Sequence, residues 1–505
     1  MKTENQNSIL FYLESFLISF FSAFLIWLQT SKYGIGLDFD FYPLMAQEIS
    51  DKGLNSVLYS TQVVFAPLYQ FTLACLSKIS GSEIIIVARW FNIFLMFLFS
   101  FLSMILCRKL TRNLAILFAL GLFITFSRPI NLFFCHAVSE PLFILFLLII
   151  TLSVEQTTYK RLILSGFLTS LAILTRYAGV AIVPSVCLYI FIQKSEISEK
   201  IKKCFCYATF PTLIYISYIV RNYYFTGTLM GSRDASNTSF ISNCDKAIST
   251  VAFWFSASFS FLAIILALFL GAFIWNYRQE LLKFFMNIHG TIKFSFCFLV
   301  VYSFFIIIST TTTSLASLDD RFMIPVFLPA LLIVFSLIVF AHSLPNKNKT
   351  LVCSLFLIFL ICSLGTFAKA VTKDINVRIN NGAGGANSTF WRENELTKYA
   401  ANNIRPDEYI FANNLLIQYI LPEQKFISYI PQKICAETSK KPTGITLENL
   451  IERYPHFENS YILWFAKGYP KIFFSINELQ RVCTIEPILD YPESGTVFRV
   501  GKCKK

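Results

Sequence analysis

Long apolar runs dominate this chain and limit what it can fold into. Runs of about 17 residues or more, long enough to cross a hydrocarbon core as helices, recur from Ser8 to about Val371. Charged residues make up only 14% of the 505 residues, against about a quarter in soluble domains. The sequence therefore predicts an α-helical polytopic membrane protein. The first run contains Glu14 and lacks a small-residue cleavage site, so we expect a retained anchor rather than a signal peptide.

The number of spans depends on Ala66–Ser80, an apolar segment that is short for a span. If it crosses the membrane, the basic loop at 107–112 and every later basic loop are inverted. If it lies along the surface, all these loops are cytoplasmic, which is where Lys and Arg accumulate. We therefore predict a juxtamembrane helix at Ala66–Ser80 and about eleven spans. The predicted spans are residues 8–30, 84–107, 113–128, 137–155, 162–176, 178–193, 204–221, 248–275, 292–312, 322–342 and 351–371.

This topology places the N-terminus in the cytoplasm and the first loop, residues 31–83, outside. The composition changes after Val371, where NNGAGGANS at 380–388 is typical of a linker. We predict a transmembrane domain at 1–371, a linker at 372–389 and an outer-side soluble α/β domain at 390–505. The predicted elements of that domain are a helix at Trp391–Asn403 and strands at Tyr409–Ala412, Lys425–Tyr429, Tyr461–Phe465 and Val497–Val500. Its cysteines (Cys435, Cys483 and Cys503) can form one disulfide if the domain faces an oxidising compartment.

The net charge of +13 does not indicate a nucleic-acid partner. Most basic residues of the membrane part lie in short loops between spans, as expected for orientation in a lipid bilayer. No basic, aromatic-interleaved soluble stretch is present.

Two carboxylates stand beside aromatic residues at the start of the first outer loop, in Gly36-Leu37-Asp38-Phe39-Asp40-Phe41-Tyr42. A carboxylate between aromatic rings is partly desolvated, which makes it a stronger base. Asp is also favoured at helix starts, so Asp38 and Asp40 are explained equally well as caps of the following helix. Taken alone, the motif leaves both interpretations open.

Basic residues also occur at the outer ends of the predicted spans, against the usual bias. These residues are Arg128, His136, Arg176, Arg221, Arg233 and Arg321. Any single one could simply extend to the membrane interface. Six basic groups on the face that carries the acidic loop favour a functional site instead, and guanidinium groups suit phosphate.

The order of these elements resembles that of the C-type glycosyltransferase superfamily (GT-C), which includes the protein O-mannosyltransferases and the lipid A aminoarabinose transferase. Asp38-Phe39-Asp40-Phe41-Tyr42 followed by Ala46 resembles the family's first-loop pattern. Phe65-Ala66-Pro67-Leu68-Tyr69 resembles its Pro-Pro-Leu-Tyr element, with Ala66 in place of the first Pro. Further matches, in order, are Ala88-Arg89 with Asn92, Ser139-Glu140-Pro141-Leu142, Thr175-Arg176, Arg221-Asn222 with Thr226-Gly227, and Asp320-Arg321-Phe322 with Pro325. The resemblance covers roughly residues 8–345.

The resemblance implies a GT-C-like fold and an inverting transfer of a sugar from a polyprenyl-phosphate or polyprenyl-diphosphate carrier. The acceptor, a glycan, lipid or protein of the cell envelope, is reached at the outer face of a bacterial inner membrane. Asp38 takes the place of the family's catalytic carboxylate. Because Phe39 replaces the acidic residue that commonly follows, it stays open whether Asp38 or Asp40 is the base.

The resemblance also assigns roles to other residues. Arg176, Arg221 and Arg321 are expected to hold the leaving phosphate. The substrate cavity is expected to include Tyr42, Pro67, Tyr69, Glu140, Tyr177 and Asp320. Some family members bind a divalent metal ion, but no His or carboxylate spacing here demands one, so a metal cofactor stays open.

The rival hypothesis is a transporter or flippase of lipid-linked sugars. Interrupted helices in paired halves and charges at the bilayer midplane are typical of transporters. In this sequence the ionisable residues cluster at span ends and in loops, which favours the enzyme.

Overall fold

The computed structural model describes residues 2–37, 41–53, 56, 63–231, 235–256, 271, 273, 275–287, 289–313, 318–342, 346–433, 445–466 and 472–504. The helices of its membrane part are α1 (Lys2–Gln29), α2 (Tyr42–Lys52), α3 (Leu68–Ser80), α4 (Ile84–Arg108), α5 (Leu114–Thr125), α6 (Arg128–Phe134), α7 (Glu140–Val154), α8 (Tyr159–Thr175), α9 (Ile182–Phe191, preceded by the 3₁₀ turn Tyr177–Ala181), α10 (Ile197–Thr226), α11 (Phe240–Ser256), α12 (Arg278–Asn287), α13 (Gly290–Thr312), α14 (Asp320–Met323), α15 (Phe327–His342) and α16 (Asn346–Asn381).

Several of these helices can cross a membrane. Five described helical segments are long and apolar enough, or six if the pair α5 and α6, bent by 52°, counts as one span. The five segments are Ser8–Gln29, Ile84–Arg108, Ile197–Thr226, Gly290–Thr312 and Asp320–Phe340. Two shorter apolar helices are Glu140–Val154 and Tyr177–Phe191. The prediction of a polytopic helical membrane protein is confirmed. Each of the eleven predicted spans overlaps a described helix, but the count itself stays a prediction.

The helix α3 is the segment that decided the predicted span count. It has 13 residues, a length of about 20 Å at 1.5 Å per residue, against a hydrocarbon core of about 30 Å. It begins after Pro67 and ends at Gly81, whose φ of 67° provides the left-handed cap that glycine favours. It packs against α2, which lies in the first predicted loop, consistent with the predicted juxtamembrane placement.

The tail, defined as residues 372–505, ends in a small α/β domain with one five-stranded sheet in the order β2-β1-β3-β5-β4. Its strands are β1 (Tyr409–Ala412), β2 (Phe426–Tyr429), β3 (Tyr461–Phe465), β4 (Cys483–Tyr491) and β5 (Gly495–Cys503). Its helices are α17 (Thr389–Arg392), α18 (Glu395–Asn403), α19 (Leu450–Arg453) and α20 (Ile476–Leu479). The strand β1 lies between β2 and β3 and runs parallel to both, while β5 pairs antiparallel with β3 and β4. The predicted small α/β domain is confirmed.

Three details of the terminal domain differ from the prediction or sharpen it. The predicted helix Trp391–Asn403 is two helices, because Asn394 caps the second one by accepting a hydrogen bond from the amide of Leu396. The strand β4 was not predicted, because it alternates poorly and is mostly exposed. The expected disulfide joins Cys483 to Cys503, so it ties β4 to β5.

The segment predicted as a linker is packed against the membrane part. The helix α16 continues to Asn381, past the predicted span end at Val371. Ala383, Ala386 and Asn387 are buried, and the Asn387 side chain donates to the carbonyl of Ile35 at 2.7 Å. Part of the predicted linker therefore belongs to the folded core.

Candidate active site

The centre of the site is a buried carboxylate shared by two arginines. Glu140 is the first residue of α7 and its side chain is fully buried. Its Oε1 accepts from Arg176 Nη1 and from Arg321 Nε, the latter at 2.5 Å. Arg176 follows the last residue of α8 and Arg321 lies in α14, so three elements far apart in sequence meet here. Burying a carboxylate is costly unless it is paired, and the two guanidinium groups provide that pairing.

The three side chains of the Arg–Glu–Arg group, defined as Glu140, Arg176 and Arg321, together carry a net charge of +1. Within the described part of the chain, Glu140 Oε2 and Arg176 Nε have no hydrogen-bond partner although both atoms are buried. Buried polar groups in proteins are nearly always hydrogen-bonded. An acceptor oxygen of an anionic ligand fits the open donor Arg176 Nε, whereas the open acceptor Glu140 Oε2 requires a donor group.

The loop between α1 and α4 lies near this group through its helix α2. The hydroxyl of Tyr42 is 3.0 Å from Ser139 Oγ, and Arg176 Nη1 donates to the same oxygen at 3.5 Å. The Tyr42 ring packs edge-on against Tyr69, with centroids 5.3 Å apart, and the Tyr69 hydroxyl donates to Asn92 Oδ1 at 3.3 Å. The start of α2 is thus connected to the Arg–Glu–Arg group through the hydroxyl of Ser139.

The N-terminus of α2 is relevant to the alternative interpretation of Asp38 and Asp40 as caps of this helix. Its N-cap residue is Phe41, which forms no side-chain cap hydrogen bond. Asp38 and Asp40 lie outside the described residues, as does Arg233, so the roles predicted for these three residues stay predictions.

Aromatic side chains from the predicted spans support Arg321 and its neighbours. Asp320 Oδ1 accepts from Trp254 Nε1 at 2.7 Å, and the Tyr302 hydroxyl donates to the carbonyl of Phe322 at 3.1 Å. The sequence did not predict these roles of Trp254 and Tyr302, because both residues occur inside apolar runs, where an aromatic residue is usually interpreted as facing lipid. Just before the span, Asp319 caps α14, and burial raises the pKa of its carboxyl.

A second polar cluster joins α10 to the 3₁₀ turn before α9. Arg221 donates to Asn222 Oδ1 at 2.9 Å and lies over the ring of Phe225. Asn222 Nδ2 donates to the Tyr177 hydroxyl at 3.3 Å, and that hydroxyl donates to the carbonyl of Val63 at 2.6 Å. The predicted residues Arg221 and Tyr177 therefore belong together, with Asn222 as the link.

Two further predicted residues contact other parts of the chain. Arg128 forms an ion pair with Asp374 of the tail at 3.0 Å. The Nδ1 atom of His136 is 2.8 Å from the carbonyl oxygen of Leu132, and its ring packs on Gly36 and Gly384. These contacts connect α6 and the residues next to it with the tail and the backbone rather than with Glu140. The contacts do not test the phosphate-binding role predicted for Arg128 and His136, which stays a prediction.

Sequence reasoning also missed a buried polar network at the C-terminal end of α1. Arg378 Nη1 donates to Gln29 Oε1 at 2.5 Å, and Gln29 Nε2 donates to Asn131 Oδ1 at 3.0 Å. The Asn131 amide in turn donates to the carbonyl of Thr125 at 2.7 Å. This network holds α16 against α1 and the bent pair α5 and α6.

Among the described residues, no group of three or more His, Cys, Asp and Glu side chains lies close enough together to hold a metal ion. Asp38 and Asp40 are not in that set, so a metal cofactor stays open.

The structure thus defines a polytopic helical membrane protein with a buried Arg–Glu–Arg group at one end of its spans and an α/β domain packed at the same end. Neither the family models nor the curated proteins matched the sequence. Among solved structures, the chain is similar to ArnT from Cupriavidus metallidurans in the apo state, at 9% identity over 98% of each chain with a TM-score of 0.55.

It is also similar to that ArnT bound to undecaprenyl phosphate, at 11% identity over 98% of this chain and 97% of the other, with a TM-score of 0.52. A third similar structure is the archaeal oligosaccharyltransferase AglB from Archaeoglobus fulgidus in complex with an inhibitory peptide and a dolichol-phosphate. The identity there is 11% over 90% of this chain and 69% of the other, with a TM-score of 0.52. These identities show the fold alone: the chain shares the fold of ArnT and AglB, in agreement with the fold that the sequence resemblance implied.

Proposed function

We propose that the chain is an inverting glycosyltransferase that moves a sugar from a polyprenyl-phosphate-type carrier to a cell-envelope acceptor at the outer face of a bacterial inner membrane. The observation that carries this proposal is the Arg–Glu–Arg group, which contacts the start of α2 through Ser139 and Tyr42. Two proteins with the same fold are bound to undecaprenyl phosphate and to dolichol-phosphate. A lipid phosphate is therefore the donor class that fits both the fold and the charge of the site.

In the proposed reaction, a carboxylate of the first outer loop, Asp38 or Asp40, accepts the proton of the acceptor hydroxyl as that oxygen attacks the anomeric carbon. The bond from the anomeric carbon to the carrier phosphate breaks, and the configuration inverts. Negative charge builds on the leaving phosphate, where Arg176 and Arg321 stabilise it. Glu140 keeps both guanidinium groups in place before the donor binds.

The remaining predicted residues act around this centre in the proposal. Arg221 and Arg233 bind the donor phosphate, and Tyr177, which Asn222 links to Arg221, belongs to the substrate cavity. Arg128 and His136 are retained as phosphate ligands in the proposal, although their described partners are in the tail and the backbone. Pro67, Tyr69 and Asp320 shape the substrate cavity.

The topology is part of the proposal. We place the N-terminus in the cytoplasm and the parts 1–371, 372–389 and 390–505 as transmembrane domain, connection and outer domain. The disulfide Cys483–Cys503 supports the outer placement, because disulfides persist in oxidising compartments. A tag at Lys505 that reagents reach only from the cytoplasm would contradict this topology.

The decisive experiment incubates the purified protein with a panel of polyprenyl-linked sugars and cell-envelope acceptors, comparing wild type with Asp38→Asn and Asp40→Asn. Loss of a general base lowers the rate by about 100- to 10,000-fold. The matched control is Asp51→Asn, which makes the same change in the same loop at an exposed carboxylate that accepts from Gln47. We expect the control to transfer sugar at the wild-type rate.

Two results would count against the proposal. If both Asp38→Asn and Asp40→Asn transfer sugar as fast as wild type, neither carboxylate is the base. If wild type transfers no sugar but moves labelled carriers across proteoliposome membranes, the transporter hypothesis is favoured.

A further inference from the structure

The tail contacts the chain on both sides of the segment that carries Asp38 and Asp40. On the N-terminal side, the fully buried Leu37 forms a parallel bridge with Gly385. The amide of Leu37 donates to the carbonyl of Gly384 at 3.3 Å, and the amide of Ala386 donates to the carbonyl of Leu37 at 2.9 Å. On the C-terminal side, the Phe41 ring stacks on Tyr419, with centroids 6.0 Å apart and planes inclined by 12°.

The N-terminal contact has little room for change. The amide of Gly36 donates to the carbonyl of Cys135 at 2.7 Å, so residues 36 and 37 lie between the end of α6 and the tail. A Cβ atom on Gly36 would lie 2.6 Å from the His136 ring. A Cβ atom on Gly384, whose φ is +123°, would lie 3.0 Å from His136 Nε2. Glycine at both positions is what lets the three backbone segments approach each other.

The C-terminal contact holds a strained residue. Phe41 has φ 54° and ψ 17°, a left-handed conformation that is rare for a bulky side chain. Such a conformation persists only where the surroundings fix it. Tyr419 is 5% exposed and ends a 3₁₀ turn that begins after Asn414, whose side chain accepts from the amide of Leu416 at 3.0 Å. The turn thus presents a rigid aromatic surface to Phe41.

We propose that Tyr419 and Gly384 are positioning residues for the transfer reaction, because the tail fixes both ends of the Asp38–Asp40 segment relative to the Arg–Glu–Arg group. This inference rests on the proposed function, in which Asp38 or Asp40 is the base. It gives the tail a part in catalysis through positioning: residues of the tail hold the catalytic segment in place and do not touch the reacting atoms. The packing of Tyr42, next to Phe41, against Tyr69 carries the position of the segment on to the juxtamembrane helix α3.

The kinetic test compares Tyr419→Leu, Tyr419→Phe and Gly384→Ala in the full-length chain. A misplacement of about 1 Å lowers a rate by about 100-fold, so we expect Tyr419→Leu and Gly384→Ala to lower kcat by about 10- to 100-fold. In Tyr419→Leu, the KM for the lipid-linked donor should stay within about twofold of wild type, because ground-state binding is not removed. Tyr419→Phe keeps the ring and should restore most of the rate.

The matched control is Phe457→Leu. Phe457 is a fully buried aromatic residue of the same domain, and its ring packs on Phe411 with centroids 4.9 Å apart. It belongs to the hydrophobic core on the far side of the sheet from Tyr419. Phe457→Leu should lower the melting temperature as much as Tyr419→Leu but leave kcat per folded molecule unchanged. Equal losses of kcat in the two variants would show a merely structural role and overturn the inference.

A second measurement needs no substrate. Hydrogen exchange of the backbone amides in a peptide covering residues 37–42 should be at least about tenfold faster in Tyr419→Leu than in wild type, since local opening sets exchange rates. Phe457→Leu should exchange there like wild type. If exchange and kcat do not change in Tyr419→Leu while Asp38→Asn or Asp40→Asn abolishes transfer, the positioning role is overturned and the proposed function stands. If wild type transfers no sugar, the proposed function fails. Faster exchange in Tyr419→Leu but not in Phe457→Leu would still support the inference that Tyr419 holds residues 37–42 in place.

Discussion

The substitution Glu140→Gln tests whether the Arg–Glu–Arg group organises the outer end of the membrane bundle. The substitution keeps the size of the side chain and removes the negative charge with which both Arg176 and Arg321 pair. The Glu140 side chain is fully buried, and that of Arg176 is 11% exposed. The substitution therefore leaves a guanidinium charge in a site from which water is largely excluded.

The magnitude follows from the burial of each partner. Removing one member of a buried ion pair destabilises a protein by about 3–5 kcal/mol, because the remaining charge is uncompensated. The Arg321 side chain is 31% exposed and can recover hydration, so the low end, about 3 kcal/mol, is expected, mostly from Arg176. At about 2–4 °C per kcal/mol, the apparent melting temperature should fall by roughly 6–12 °C.

The assay heats purified protein in detergent and measures the fraction that stays monodisperse by size exclusion. The matched control is Glu155→Gln at the other end of α7, where a carboxylate also binds two basic groups, Lys109 and His289. The Glu155 side chain is 17% exposed, and those partners are 29% and 33% exposed, so about 1 kcal/mol or less is expected. Equal shifts in the two variants, or a shift below about 2 °C for Glu140→Gln, would refute the assignment of Glu140 as the buried counter-charge.

Three further perturbations test other parts of the structure. Cys483→Ser removes the disulfide of the terminal domain, which closes a loop with a sequence separation of 20. The substitution should destabilise that domain by about 3 kcal/mol. In denaturant, the variant should unfold like reduced wild type. The hydrogen bond from Lys433 holds the pKa of Glu478 at about 2, below its ordinary value of 4.5. This stabilisation is complete above pH 4.5 and is lost as the pH falls towards 2, so Glu478→Gln should flatten the acid side of the melting-temperature profile. Arg378→Met removes the donor that binds Gln29 Oε1. The free energy of unfolding should fall by about 1–3 kcal/mol, which the same heating assay measures as a lower melting temperature.

The sequence predicted those features that depend on local pattern. Apolar runs located the helices. The GT-C resemblance assigned Arg176 and Arg321 to the donor phosphate and Glu140 to the substrate cavity, and the structure brings these three side chains into contact. Partners far apart in sequence were not predictable: Arg128 pairs with Asp374, 246 residues away. A side chain at a span end is compatible with several partners, and only the packing of the bundle selects one.

The tail gives a second example of packing that the sequence does not predict. Gly384 and its neighbours were interpreted as a flexible linker, because glycine-rich segments usually serve that purpose. Glycine equally allows close approach of backbones, and the segment 383–387 uses it for that, beside Leu37 and His136. Composition alone does not distinguish these two uses. Tyr419 carried no sequence signal, since it lies in a short turn between two strands.

The open donor of the Arg–Glu–Arg group leads to a prediction about its ligand. Both guanidinium groups contact Glu140 Oε1, and Arg176 Nε has no partner among the described residues. An anion that completes this site binds the folded state and stabilises it. At 100 times its Kd, the stabilisation is about 2.7 kcal/mol, or roughly 5–11 °C in the heating assay. Undecaprenyl phosphate should therefore raise the melting temperature of wild type, whereas the neutral polyprenol of the same length should not. If the neutral lipid protects as well as the phosphate, the stabilisation comes from the hydrocarbon chain, and the Arg–Glu–Arg group is not a phosphate site.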